Sequence, residues 1–480
     1  MKLLSKNIAL IGLSSVVFSS CVWAATTPVQ KATPFQTNNG LIPPKSAYSR
    51  PYFQLSKDWP QKPSPPGDTP WQRAIHGQRI TPQNAYAYTE ALKAYVSTNA
   101  RNLILNYATW NAAKAGWFNE PWVGSEREAI HGTYPAGEFG PSIFPGTGLR
   151  TTFATHVLTY YDARAAYTAF KLWGASAMMP NVQTQNSQFQ EGSVIVKAAV
   201  FASEDPSKPL NWWDAMQGAA VWPLYIGTGA DATNSHPPNP QVMPGYIAQF
   251  DIIVKDSKSS PQTGWVFTTL VYDKDAPGRD AWDKMVPLGA MWGNDPNVTV
   301  AGQPLHENWI NPKAPKYSTQ TLGWGGRLSG PNDGATNNIA VNGKVLINEP
   351  DSSCMSCHSP AEWNVKQHKM DSFILPSFQN LKPPPTFQPC GDNGKPDPNG
   401  NNICSPAPAS ADWMGWFQSR PGTEPKDKTS VALDYDDVFA FKALPLWWNA
   451  VAPPGQALPY LLMRPSHLRR YNQYTGAPLK

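Results

Sequence analysis

A chain of 480 residues is long enough for two or three domains. Charged residues make up only 15% of it, against roughly 25% in an average soluble domain, and Pro (50), Gly (35) and Trp (20) take their place. The net charge of +5 is too mild to name a partner, and the lack of clustered Lys and Arg speaks against nucleic-acid binding.

Residues 1–25 read as an export signal. Lys2 and Lys6 form a charged start, Ile8 to Phe18 an apolar stretch, and Val22-Trp23-Ala24 places a small residue before a cut. The stretch is too short to span a bilayer, and no later run reaches the ~20 apolar residues a span needs. Cys21, after Phe18-Ser19-Ser20, loosely matches a lipoprotein processing site, so a lipid anchor at Cys21 stands beside ordinary cleavage. Either route exports the chain.

Residues 26–70 are rich in Pro, Ser, Thr, Asn and Gln, as in an extended arm or linker, with Tyr52 and Phe53 as anchors. Residues 71–345 read as a β-rich N-terminal domain. Thr81 to Tyr95 and Asp162 to Trp173 carry helical spacing, while Gly192–Phe201, Tyr246–Val254 and Gly264–Tyr272 are apolar, β-branched runs bounded by turn residues. Residues 346–480 change to turns, prolines and short helices, with a clear helix predicted from Asp434 to Ala443. Its acidic residues Asp434, Asp436 and Asp437 suit a helix start, and Pro445 a stop. The fold class expected from these elements is α+β: a β-rich N-terminal domain followed by a small, loop-rich and helical cytochrome c-type haem segment.

That last expectation rests on Cys354-Met355-Ser356-Cys357-His358, the C-x-x-C-H attachment pattern. Two thiols three positions apart reach the two vinyl groups on one porphyrin edge, and the adjacent His358 becomes the proximal ligand of the iron. A structural zinc site would want two more Cys or His at close spacing, and only His368 is near. A thioredoxin-like dithiol would want a preceding strand, yet Asp351-Ser352-Ser353 stands there. One copy of the motif means one covalent haem c. The sixth iron ligand is open. Met414, 414 − 358 = 56 residues beyond His358, is the first candidate, followed by Met370 and Met463, then His368 or His467, and finally an empty position. A thioether ligand raises the potential and closes the iron.

Cys390 and Cys404, 404 − 390 = 14 residues apart, are expected to form a disulfide, worth roughly 3 kcal/mol for a loop of about 15 residues. The remaining histidines form no metal-ligand spacing and read as satisfied polar or core residues. Glu126 and Glu128 read as surface charge, and no G-x-S-x-G, phosphate loop or H-E-x-x-H occurs.

Several segments resemble a family of bacterial exported monohaem cytochromes c of about this size. They are Trp265 to Tyr272, Pro287 to Pro296, Gly325 to Pro331, Ser353 to His358 and Ala432 to Tyr435, together covering roughly 190–445. The resemblance implies a periplasmic or otherwise exported electron carrier whose redox partner it does not name. Residues 334–349 are extra to that pattern. Phe189 to Lys197 also resembles strands of β-sheet haem cytochromes that oxidise hydroxylamine or bind nitric oxide, which implies a haem packed on a sheet with Lys197 at its edge. Electron transfer asks least of the sequence. The alternatives are a haem enzyme or small-ligand binder with an open iron, and a binding module with a tryptophan platform. Arg327 and Trp324 are candidate donors to haem propionates.

Overall fold

The computed structural model describes residues 33–49, 51–210, 213–333, 335–341, 344–350, 352–370, 409 and 411–453. The expected signal, the Cys21 anchor site, the Cys390–Cys404 disulfide, Met463 and His467 lie outside these residues. Among the described residues no helix is long and apolar enough to cross a membrane.

An eight-stranded antiparallel sheet organises the chain. Its strands are β1 (Tyr134–Phe139), β2 (Phe153–Tyr161), β3 (Val194–Ser203), β4 (Val221–Ile226), β5 (Gln241–Lys255), β6 (Trp265–Tyr272), β7 (Met285–Met291) and β8 (Asn308–Ile310). The order is β1-β2-β3-β5-β6-β7-β8, and β4 also pairs with β5. The 15 residues of β5 serve three neighbours. Gln241–Tyr246 pair with β4 and Gln249–Lys255 with β6, while β3 runs along Gly245–Val254. All three strand runs expected from sequence are present.

Side chains alternate across the sheet, so each strand feeds two cores. On one face Val194, Val196, Phe250, Ile252 and Leu270 pack with Tyr88, Leu92 and Val96 of the long helix Ala85–Leu105. On the other, Ile195, Ile253, Trp265 and Phe267 pack with Ala165, Ala169 and Trp173 of the helix Ala163–Trp173. That second helix begins where the sequence indicated, with the Asp162 side chain accepting from Ala165 N at 2.8 Å. The Pro-rich arm lies along this body. Phe53 is buried, its N–H bonds Ala129 O at 3.0 Å, and its ring fills the space a Cβ at Gly132 would take.

The α+β assignment is therefore corrected: the fold is β-rich, with few helices. The region after residue 346 is not a helical cytochrome c unit among the described residues. After that point it supplies short helical segments, Cys354–His358, Ala411–Trp416, Val438–Ala443 and Leu444–Val451, and the two-residue strands Glu362–Trp363 and Val431–Ala432. The reason lies in its apolar residues. Met355, Ala361, Trp363, Leu433 and Phe439 pack into the same cluster as Ile195, Trp265 and Phe267 of the sheet. Two strands, nearly all of their residues in the extra segment, pair antiparallel: β9 (Thr336–Val341) and β10 (Lys344–Pro350).

The helix expected at Asp434–Ala443 also differs. Asp434 and Tyr435 take positive φ values of 51° and 68°, the helical segment runs Val438–Ala443, and a further helix Leu444–Val451 continues past Pro445. Proline sits comfortably there, because the first turn of a helix needs no N–H from it.

The carboxylates read as surface charge are buried. Lys442 Nζ donates to Glu126 at 2.7 Å, and Glu128 accepts from the N–H groups of Ile130 and His131 at 2.7 Å and of Tyr225 at 3.2 Å. His131 stacks on Trp222 and bonds Pro223 O at 2.9 Å, while His156 bonds Ala232 O at 3.0 Å. Burial pushes the pKa of His131 down to about 3 and of His156 to about 4. Both lie below the unfolded value of about 6.5, so the unfolded chain binds more protons. Their contribution is present above pH 6.5 and is lost as pH falls through the folded values. For His156 the shift corresponds to about 3 kcal/mol. Buried carboxyls such as Glu128, held above their usual value by burial, act in the opposite sense. The histidine share is therefore isolated by comparing the parent with His156→Asn in urea at pH 7 and pH 4.5. The parent should lose about 2 kcal/mol more than the variant over this interval.

Candidate haem-attachment site

Cys354–His358 is a single short helix whose start is fixed by its own serines. Ser353 Oγ accepts from Ser356 N at 3.0 Å, and Ser356 Oγ accepts from Ser353 N at 2.7 Å, a reciprocal capping box. Ser353 Oγ also donates to Asn294 Oδ1 at 2.8 Å, which ties the cap to the loop after β7. The approach is equally tight at Gly323. Trp324 N donates to Ser352 O at 2.9 Å, and a Cβ on Gly323 would collide with that carbonyl. Cys354 and Cys357, three residues apart, consequently share one side of a held helix turn.

Both are thiols, Cys354 buried and Cys357 half-buried. Burial, then the neighbouring Asp333 and Asp251, push the Cys354 thiol well above its ordinary value. A redox nucleophile needs the opposite shift, so the buried, acid-flanked setting of Cys354 does not favour the dithiol reading.

His358 packs edge-on against Phe267 of β6, ring centroids 4.8 Å apart. Burial lowers its pKa to about 4, so at neutral pH the ring is uncharged. Its Nδ1 lies 2.9 Å from Tyr435 O. A carbonyl only accepts, so Nδ1 carries the proton and Nε2 keeps the lone pair needed to bind a metal. A metal-ligating histidine ordinarily has its second nitrogen held in this way.

The turn that aims Tyr435 O is strained and pinned. Two consecutive non-glycine residues at positive φ cost on the order of 1–3 kcal/mol each. The buried Asp434 carboxylate offsets this by accepting from Lys255 Nζ at 2.6 Å, Trp265 Nε1 at 2.8 Å and Phe189 N at 2.8 Å. Tyr435 Oη donates to Arg420 O at 2.7 Å, and Asp436 accepts from Tyr161 Oη at 2.9 Å and Phe439 N at 2.8 Å.

Beneath the motif the sheet carries a polar row. Thr159, Lys197, Asp251 and Thr269 are successive cross-strand partners on β2, β3, β5 and β6. Lys197 Nζ lies 2.7 Å from Asp251 and 2.8 Å from Asp333, Thr269 Oγ1 donates to Asp251 at 2.9 Å, and Asp333 Oδ2 is 3.8 Å from Cys354 Sγ. Burial works against the Lys197 charge, but the two carboxylates outweigh it and hold its pKa above the usual lysine value. Lys197 thus lies on the motif's face of the sheet, with its ammonium committed to carboxylates.

Met414 is half-buried in the helix Ala411–Trp416. Trp413 of that helix packs against Trp324 and Phe417, centroids 4.2 and 4.1 Å away. Among the described residues, the apolar cluster around Cys354 and Met355 includes Met370 and not Met414. His368 stacks on Trp448, centroids 3.5 Å apart. Arg327 is fully buried, donating from Nε, Nη1 and Nη2 to the carbonyls of Asn294, Trp324, Asp295 and Val298 at 2.8–3.0 Å, so its guanidinium is largely spent on backbone.

No group of three or more His, Cys, Asp or Glu is placed to hold a metal ion among the described residues. A c-type haem asks less of the protein, two thiols and an axial ligand such as histidine. Cys354, Cys357 and His358 fit it. Sequence reasoning missed Asp251, Asp333 and Tyr435. In the sequence Asp434, Asp436 and Asp437 suit a helix start and Tyr435 closes one of the resembling segments, with no sign of a role beside His358. Comparison with protein-family models, curated proteins and solved structures returned no match.

Proposed function

We propose that this chain is an exported c-type cytochrome holding one haem through Cys354, Cys357 and His358, and that its role is electron transfer. The observation that carries the reading is the orientation of His358. Its Nδ1 proton is donated to Tyr435 O, which leaves Nε2 as the ligating atom on the same helix turn as both thiols. When bound, the haem supplies a one-electron iron couple. The chain's own residues supply the rest: the serine capping box presents the thiols together, the pinned turn fixes the imidazole, and Phe267, Met355 and Trp363 contribute apolar surroundings.

A stain for covalent porphyrin on the denatured, exported polypeptide tests the reading, and an unstained band sinks it. The second reading is a haem protein with an open iron that binds a small nitrogen or oxygen species. It is favoured by the position of Met414 outside the apolar cluster around the motif, and only a ligand test separates the two. For the carrier, the reduced parent should not bind carbon monoxide, whereas Met414→Ala should bind it if Met414 is the sixth ligand. Binding gained by Met370→Ala instead transfers that role to Met370. Rapid binding by the parent itself favours the open iron.

A further inference from the structure

A cavity of about 480 Å³ lies where the Pro-rich arm meets the helices Ala85–Leu105 and Ala163–Trp173. Its size falls within the roughly 300–1,000 Å³ of small-ligand sites. The wall supplied by the arm is held in place. Gln190 bonds both backbone groups of Ser64, accepting from its N–H at 3.1 Å and donating to its carbonyl at 2.5 Å. Arg164 Nη2 donates to Pro65 O at 3.0 Å and packs where a Cβ on Gly67 would stand.

The helices supply aromatic and polar groups together. Tyr95 and Asn99 are four residues apart on one helix face and both line the cavity. Tyr95 is 41% exposed, and Trp71 holds its ring edge-on with centroids 5.2 Å apart. The Asn99 carboxamide has no hydrogen-bond partner among the described residues. Trp117 adds a second aromatic ring. Asp162 spends Oδ1 on the helix cap, and burial raises its pKa to about 6. Burial and Asp162 raise the pKa of the Tyr95 hydroxyl while Arg164 opposes them, so the three groups converge.

We infer that this cavity is a binding site for a neutral saccharide. The lining carries one acid and one base, Asp162 and Arg164, so it offers no net charge to an anion or a cation. Its polar groups are mixed in kind, an acceptor in Asp162, a donor in Arg164 and both in Asn99. A sugar hydroxyl donates and accepts at once. Neighbouring hydroxyls therefore satisfy all three side chains, whichever protonation state the carboxyl holds. The apolar C–H face of the sugar ring matches Tyr95 and Trp117, aromatic bodies with polar tips. A zwitterionic amino acid is the competing occupant, because it also answers one acid and one base. No residue of the cavity belongs to the haem motif or to the turn that holds His358, so the inference stands apart from the haem assignment.

The test titrates the full chain with maltose, cellobiose and N,N′-diacetylchitobiose, read by calorimetry and tryptophan fluorescence. At least one of these probes should bind with a Kd of about 1 mM or tighter. Tyr95→Ala and Asn99→Ala, checked for fold by circular dichroism, should each weaken that binding about fivefold. Affinity should not change between low and high salt, since the ligand carries no charge to be screened. Failure of all three sugars to bind overturns the inference. So does sugar binding that neither variant weakens, which places it elsewhere, or binding of free tryptophan or arginine in place of the sugars with an affinity that salt reduces.

Discussion

A chain carrying both Cys354→Ala and Cys357→Ala is expected to lose every trace of covalent porphyrin while keeping its sheet. The loss should be complete, because no other cysteine among the described residues stands beside a histidine held like His358. The fold should survive. The motif helix is capped by Ser353 and Ser356, and neither thiol contributes to that box. Deleting the buried sulfur at Cys354 costs about 1 kcal/mol of packing. Each single variant keeps one thiol and should retain a reduced fraction of stained protein. His358→Ala is the complementary chain: both thiols remain, so the stain should persist, but the spectrum of the reduced protein should change because the proximal nitrogen is gone. Circular dichroism establishes the fold, and a heme stain after denaturation reads the attachment. Stain surviving in the double variant would place the attachment elsewhere and end the assignment.

What the sequence disclosed follows from how burial writes itself into residue order. β3, β5 and β6 were legible because their β-branched runs end in glycine or turn residues. β2 was not, because Thr155, His156 and Thr159 interrupt its apolar run although all nine of its residues are buried. β7 contains Pro287 and Gly289, which argue locally against a strand and are tolerated where the pairing with β6 shifts register between Thr269 and Leu270. The motif Cys354–His358 was plain, since its spacing is itself the chemistry. Its supporting residues were hidden because they come from far along the chain. Asp251, Asp333 and Tyr435 each look ordinary alone and acquire a role only through the register of the sheet and the turn pinned by Asp434. The α+β expectation failed for a related reason: turns, prolines and the haem motif after 346 suggested a separate helical segment, whereas its apolar residues complete a face of the sheet.

Lys197→Met should destabilise the protein by about 3 kcal/mol or more, among the largest losses for one substitution outside the motif. The size follows from what is left behind. Lys197 is the cation shared by Asp251 and Asp333, whose side chains are 7% and 17% exposed, and its removal leaves both carboxyl groups without it in a poorly solvated site. Gln249 Nε2, which donates to Asp251 at 2.9–3.0 Å, and Thr269 satisfy hydrogen bonds but carry no compensating charge. The loss should therefore be partly recovered in Lys197→Met with Asp251→Asn, which removes one of those carboxyl groups. Urea midpoints of the parent, the two single variants and the double variant close the cycle, and a coupling of about 1–3 kcal/mol is expected for groups in one network. Coupling near zero would mean that the lysine is merely solvated. A large coupling means that the sheet holds an ion-paired polar row directly beneath the Cys354 thiol, within 3.8 Å of it through Asp333. The same residues would then stabilise the fold and fix the electrostatic environment in which the motif works.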